Sequence, residues 1–429
     1  MQPKIKVFKG GTLIDGNGGK PIPDSVVIVE GNKITDVGVS GKVEIPKTEN
    51  VEIIDAKNKT VMPGLIDTHV HNCMDGEARE FGPLPLYWTN ESMLMKSCNQ
   101  MKRTLDMGIT TVREGGSGWN WMEVALRDGI KRGDVPGPRM QATGYHITVT
   151  GGHGYFLPYW LARHKPPEQI GMHCDGPDEW RKAARINIYM GVDNVKIVNS
   201  RDIISPGVEY HSQASFEEVK AAFDEAHARD KGATAHSEGH KAIMDSIKAG
   251  ANSIVHGFWM DDECADLMAE KGVYWEGTNL YCSLIKDYAN GKLPEYMLKE
   301  NPGGLPDWML PKAKAIWEDK VKNFKRLVDR GVKILFGSDA GCPYIRHGYN
   351  AMELSRFVEL GISPMNAILA ATKVAAEALR WQDQIGTVEK GKLADIIMVD
   401  GDPLKDISVL HTPEKIKLVM QDGHIVKTR

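Results

Sequence analysis

Hydrophobic and polar positions change rhythm twice along this chain. At the start, β-branched runs alternate with glycine turns in KVFKGGTLIDG, DSVVIVEGNKITDVG and VEIIDAKNKTVMPG. The second of these predicts a hairpin around Gly31–Asn32. The same texture returns at the end, in GTVEKGKLADIIMVDGD and KIKLVMQDGHIVKTR, where Asp422–Gly423 between two apolar runs is a hairpin signal. Residues 1–60 and 385–429 are therefore expected to build one small β-sandwich from both termini.

Between them, over 61–384, apolar runs of strand length alternate with helical patterns. Strands are expected to begin near Leu65, Ile109, Met140, Val195, Ala233, Ser253, Val273 and Ile334. The clearest helix is SFEEVKAAFDEAHARDKG. Ser215 and Glu218 form a capping box, Phe216, Val219, Ala222, Phe223 and Ala226 share one face, and Gly232 is expected to stop it. DGPDEWRKAARINIYMG starts another, with Pro177 in its first turn. Eight such alternations predict an α/β fold, a closed parallel (β/α)8 or TIM barrel. Two stretches, 148–175 and 280–311, are too long for ordinary connections. Both follow strand C-terminal ends, where a barrel carries its site, so they are expected to be lids or substrate walls.

Composition changes this picture little. The 429 residues are 41% hydrophobic and 26% charged, with a formal net charge of -4. No long run of either sign points to a nucleic-acid or membrane-surface partner. Cys73, Cys98, Cys174, Cys264, Cys282 and Cys342 form no C-x-x-C pair and are expected to be reduced thiols. MQPKIKVFKGG contains no apolar stretch of signal-peptide length, and no segment approaches the roughly 20 apolar residues of a membrane span. As given, the chain reads as cytoplasmic. The sandwich edges and long loops suggest a homo-oligomer.

The candidate chemistry lies at strand ends. His69 and His71 stand two apart in GLIDTHVHN, so both side chains leave the strand in the same direction. His236 in GATAHSE, His256 in SIVHGF and Asp339 in LFGSDAG each close a short apolar run. Lys196 interrupts DNVKIVNS, which reads as a buried strand. A buried ammonium is costly. Such a lysine can snorkel, pair with a carboxylate, or carry CO₂ as a carbamate whose two oxygens bridge two cations. With an ordinary pKa of about 10.4, under roughly one amine in a thousand is neutral at pH 7, so metal must trap the carbamate. Together the six residues predict two divalent cations at a barrel mouth, and so a hydrolase. Nitrogen and oxygen donors without cysteine suit Zn²⁺, with Mn²⁺, Co²⁺ or Fe²⁺ as alternatives.

Taken together, these residues resemble the amidohydrolase superfamily over nearly the whole chain. VMPGLIDTHVH matches its first-strand motif, with Pro63, Gly64, Asp67, His69 and His71 in place. The lysine, the two single histidines and the final aspartate follow in the family's order, and TVEKGKLADIIMVDGDPL matches the return to the sandwich. TGGHG, HCDGPDEWRKAAR and HSEGHKAIMDSIKAGANSIVHG are similar to the imidazolonepropionase-related, prolidase-like branch. That branch includes metal-dependent carboxypeptidases, dipeptidases and enzymes cutting N-acyl amino acids such as ochratoxin.

The resemblance implies that His69, His71 and Asp339 hold one metal and His236 and His256 the other. Carboxylated Lys196 (N6-carboxylysine) and a hydroxide would bridge them, with Asp339 as the catalytic proton shuttle. In some of these dipeptidases a tyrosine two residues after the fifth-strand histidine helps hold the substrate carboxylate. Here that place is Glu238, a departure in substrate contact.

His153 in GGHG is a further candidate substrate contact, with Tyr155, Phe156, Tyr159 and Trp160 after it as an aromatic wall or a packed lid. Arg346 and His347 are placed to meet a substrate carboxylate or to begin the next helix. The leading expectation is hydrolysis of a small peptide-like amide beside a free carboxylate. Opening of a cyclic amide and phosphotriester hydrolysis draw on the same metals and stay open. Gly239, three places after His236, and the presence of Lys196 argue against deamination; six filled positions argue against a non-catalytic scaffold.

Overall fold

The computed structural model describes residues 4–76, 89–116, 119–153, 171–203, 210–293, 295–300, 307–342 and 344–428. Both termini feed one sheet. Its strands are β1 (Ile5–Leu13), β2 (Ile22–Glu30), β3 (Lys33–Val39), β4 (Val51–Asp55) and β5 (Thr60–Pro63), joined by three strands from the C-terminal end. Strands β2 and β3 form the expected hairpin, closed by the Glu30–Lys33 pair. Alternate residues of these strands point inward, as period-two patterning requires. Phe8, Val27, Val29, Ile34, Ile396 and Met420 thus make the core of an auxiliary β-sandwich.

The barrel strands follow in order: β6 (Leu65–Val70), β7 (Ile109–Glu114), β8 (Arg139–Gln141), β9 (His146–Thr148), β10 (Gly171–His173), β11 (Asn194–Val198), β12 (Gly232–Ser237), β13 (Ser253–His256), β14 (Tyr274–Glu276) and β15 (Lys333–Leu335). All pairings among them are parallel. The eight expected strands are present, and the third is broken: β8 pairs with β7, while β9 pairs with β11. Strand β10 adds to β9 outside the ring. Closure comes beyond β15, where the amide of Thr68 donates to Phe336 and that of Asp339 to His69, at 2.8 and 2.9 Å. With helices packed outside, this is a (β/α)8 barrel. The chain then returns to the sandwich through β16 (Ile396–Val399), β17 (Ile416–Gln421) and β18 (His424–Thr428), the last two joined at the Asp422–Gly423 turn.

Two local expectations change. The helix Phe216–His227 carries the Ser215–Glu218 capping box, but it ends well before Gly232, which opens β12. Asp230, at φ 54, makes the reversal instead. The stretch 280–311 is not an irregular wall. It contains the helices Asn279–Ala289 and Glu295–Glu300, and Met309–Val328 begins within it. Leu280, Tyr281, Leu284 and Ile285 recur at helical spacing and are all buried, which ties the first of these to the barrel. Of 148–175, residues 154–170 lie outside the described residues, and with them Tyr155, Phe156, Tyr159 and Trp160. Among the described residues no helix is long and apolar enough to cross a membrane.

Candidate metal centre

The C-terminal ends of the barrel strands converge on one small cavity of about 30 Å³. His69, His71, Lys196, His236, His256 and Asp339 all line it, together with His146, His153 and Asp202. A larger cavity of about 510 Å³ lies by the strand N-terminal ends, near Arg127, Arg139 and Asp193. Its two arginines are already paired, Arg127 with Asp193 and Arg139 with Asp395, so size does not locate the chemistry.

His69 and His71 leave β6 on the same side, with ring centroids 5.1 Å apart. Oδ1 of Asp339 lies 3.4 Å from Nε2 of His69 and 3.1 Å from Nε2 of His71. His236 and His256 face each other at 4.3 Å between centroids. His256 and Asp339 adopt left-handed backbone, φ 68 and φ 62. Such a conformation is costly for any residue but glycine and persists where the surroundings enforce it. The enforcement is visible at Asp67. Its carboxylate accepts from the amides of His69 and Ser338, at 3.1 and 3.0 Å, and from the Ser338 hydroxyl and Asn350. That explains the aspartate of GLIDTHVH: it ties the first strand to the loop that carries Asp339.

Burial sets the charge states. It pushes His236 and His256 well below the usual histidine range, reinforced at His236 by neighbouring His256 and opposed at His256 by Asp339. Neutral imidazoles are the form that binds metal. Burial alone would raise Asp339, but hydrogen bonds from His69 and His71 hold it well below the usual carboxylate range. Burial brings Lys196 down to about 8, against the pull of Glu276 and Asp339. Roughly one amine in ten is then neutral at pH 7, far more than for an exposed lysine.

The donor set fits a metal. Ligand atoms of His69, His71 and Asp339 lie within 4.8 Å of one another, and so do those of His153, Asp202 and His236. Nε2 of His236 is buried and hydrogen-bonds to nothing among the described residues. An orphaned nitrogen beside two further imidazoles is what an ion would satisfy.

The expected substrate contacts divide. His153 is buried and stacks on His236 at 4.7 Å, with Nε2 3.7 Å from Asp202. Glu238 is fully buried, with Oε1 3.5 Å from Nε2 of His236, yet it does not line the cavity. Arg346 is half-buried and also absent from the lining. His347 neither faces the cavity nor opens a helix: it bonds Thr104 and the carbonyl of His71, and the next helix begins at Met352.

The sequence reading passed over four residues. His146 opens β9 rather than closing it, yet it lines the cavity, and a histidine leading the apolar run of GYHITV was a usable signal. Glu276 ends β14 and lies 3.5 Å from Nδ1 of His69; burial would raise it, but Arg113 holds it down to about 2. Arg113 reaches it from β7 across the barrel. Asp202 lies in a loop whose spacing from Lys196 carries no pattern.

Comparison with known proteins agrees with this geometry. The amidohydrolase family model matches residues 60–426. The chain is 29% identical over 447 residues to ochratoxinase from Aspergillus niger, covering 99% of this chain and 87% of that enzyme. A crystal structure of a Xaa-Pro dipeptidase with bound methionine in the active site superposes with a TM-score of 0.85 at 31% identity, covering 99% of this chain and 100% of that one. A prolidase complexed with N-methylphosphonate-L-proline superposes with a TM-score of 0.85 at 29% identity, again over 99% and 100% of the two chains. The chain belongs to the amidohydrolase family, in its prolidase-, imidazolonepropionase- and ochratoxinase-related branch, and is a metal-dependent hydrolase acting on carbon–nitrogen bonds.

Proposed function

We propose that this protein is a binuclear zinc amidohydrolase that cleaves a peptide-like amide beside a free carboxylate, in a dipeptide or an N-acyl amino acid. The observation that carries this reading is the convergence of His69, His71, Lys196, His236, His256 and Asp339 on one cavity. His69, His71 and Asp339 would hold one ion, His236 and His256 the other, and a carbamate on Lys196 would bridge them. The carbamate forms when the neutral Nζ attacks CO₂: one N–C bond forms as a C=O π bond breaks and its electron pair passes to oxygen, and the nitrogen's proton leaves to solvent. When bound, the two cations bring a water's pKa near 7 and polarise the amide carbonyl.

The chain's own residues do the rest. Asp339, ionised and aimed between His69 and His71, takes the proton of the attacking water and delivers it to the leaving amine. Glu276, with Oε2 3.5 Å from Nδ1 of His69, sets a negative charge beside that nitrogen and favours the tautomer protonated there. His153, at the far side of His236, donates to the substrate carboxylate. The names of the relatives support this class: a Xaa-Pro dipeptidase, a prolidase and an ochratoxinase. We place the division between sandwich and catalytic barrel at 1–60 plus 385–429 and 61–384, and read the protein as a homo-oligomer.

The test joins metal content to a substrate screen. Purified protein should carry close to two zinc ions per chain and hydrolyse members of a dipeptide and N-acyl amino acid library. Lys196→Ala should lose at least one ion and nearly all turnover, with partial rescue by propionate. A variant keeping both ions and full turnover would remove the bridge from the reading. Preference for a cyclic amide or a phosphotriester would replace the substrate class.

A further inference from the structure

Thr278 is a β-branched residue held at φ 43, ψ 46, in the left-handed region that such residues avoid. It stands between the end of β14 and the helix Asn279–Ala289. Two buried charged side chains grip the backbone on either side of it. Nζ of Lys320 donates to the carbonyl of Gly277 at 3.0 Å. Glu353 accepts from the amide and side chain of Asn279, at 2.9 and 2.8 Å, and from the amide of Leu280. Lys320 is 2% exposed and Glu353 is 0% exposed. They come from separate helices, Met309–Val328 and Met352–Glu359. The ammonium also sits over the rings of Phe258 and Trp275, at 5.0 and 5.2 Å.

Buried charges are a poor way to stabilise a fold, since apolar residues of similar volume usually do it better. Something other than stability is served by this clamp, and the turn's product shows what. Oγ1 of Thr278 lies 2.7 Å from Nδ1 of His256. With Nδ1 carrying the proton and donating to that hydroxyl, Nε2 is the lone-pair nitrogen. Trp275 holds the same residue from behind, its indole N–H donating to the carbonyl of His256 at 2.9 Å. His256 is itself at a left-handed φ, so two strained residues meet at this hydrogen bond.

We propose that Lys320 and Glu353 are positioning residues of the metal centre. They hold Thr278 in its strained conformation so that its hydroxyl fixes the tautomer and ring plane of His256 and presents Nε2 to the ion. This rests on the reading of His256 as a ligand. Neither residue lines the cavity.

The experiment measures release of zinc from the loaded enzyme to a chromogenic chelator. Thr278→Val should release one of the two ions about 10- to 100-fold more readily, the usual effect of losing a ligand's hydrogen-bond partner. Lys320→Met should speed release of the same ion, and Thr278→Ser should restore wild-type retention. The double variant Thr278→Val/Lys320→Met should be no worse than Thr278→Val alone, because both act through one hydrogen bond. Additive losses, or wild-type retention in Lys320→Met, overturn the proposal. Should Lys320→Met not fold, Glu353→Gln carries the same comparison, since it keeps the shape and loses one acceptor oxygen; unchanged release then overturns it. His256→Ala separates the two ideas. If it keeps both ions, the ligand reading fails. If it loses one while Thr278→Val and Lys320→Met lose none, only the clamp fails.

Discussion

Gly115 stands against His69: a side-chain carbon there would lie 2.9 Å from Nε2 and Cε1 of His69, and equally close to Cε1 of His71. The backbone cannot retreat, because the amide of Gly115 donates to Val70 at 2.7 Å. An added methyl must therefore turn one or both rings. Gly115→Ala should keep its fold by circular dichroism yet hold less metal, with affinity for an ion at His69 and His71 falling at least about tenfold, as when a ligand loses its orientation. Metal content after dialysis against a weak chelator is the measurement. Wild-type retention would mean that these rings swing aside freely.

Asp339 makes a sharper prediction about rate. Asparagine preserves its shape but not its basicity. Because proton transfer belongs to the transition state, Asp339→Asn should lower kcat by roughly 10²–10⁴ while KM moves little. The comparison is made at matched metal content, since the side chain is also placed to hold an ion. A loss of only a few-fold would assign the shuttle to another group, and Asp202 and Glu238 are the buried carboxylates to examine next.

The parts of this protein legible in the sequence were those written in local patterns. Strand starts, both hairpins and the Ser215 capping box depend on neighbours a few residues apart. Five of the six candidate ligands were legible at the ends of apolar runs, which parallel strands in one barrel bring together, and Lys196 was legible as a charge inside one. What stayed hidden depends on distant partners. Arg113 and Glu276 are 163 residues apart and meet only because the barrel closes. Lys320 and Glu353 look like ordinary polar faces of helices until the 277–280 turn is seen between them. His347 misled for the converse reason. It follows Asp339 closely, but the loop carries it onto the carbonyl of His71 rather than into the cavity.

The Lys320–Glu353 pair should mark the pH dependence of stability. Burial raises Glu353 from 4.5 to about 7, against the amides of Asn279 and Leu280. Burial lowers Lys320 from 10.5 to about 8, against nearby Cys282 and Glu353. Between about pH 4.5 and 7 the folded chain binds more of Glu353's proton than the unfolded chain, so stability falls as pH rises through that window. Between about pH 8 and 10.5 the unfolded chain holds more of Lys320's proton, so stability recovers as pH rises. Glu353→Gln cannot ionise and should lose the first of these slopes. Relative to wild type it should gain up to roughly 3 kcal/mol between pH 4.5 and 7.5, on top of a pH-independent loss from the missing acceptor. Urea unfolding of both proteins across that range gives the difference. A difference that does not change with pH would show that Glu353 ionises as readily in the folded chain as in the unfolded one.

Substrate choice turns on His153. Its ring is stacked on His236 and buried at the cavity, so a substrate carboxylate that reaches it is taken out of water. A hydrogen bond to a charged group in such a place contributes about 1.5–3 kcal/mol, or roughly ten- to more than a hundredfold in kcat/KM. Dipeptides and N-acyl amino acids with a free acid should therefore outrun their carboxamides by at least about tenfold. His153→Ala should shrink that ratio toward one, and its rate on the carboxamide should change much less than its rate on the acid. The selectivity is the informative quantity, because general damage to the metal centre would slow both substrates alike. Equal rates of the wild-type enzyme on acid and carboxamide would reject the carboxylate contact. A ratio preserved in His153→Ala would move it to another residue, with Glu238 excluded by its charge and Arg346 the first cation after the last ligand.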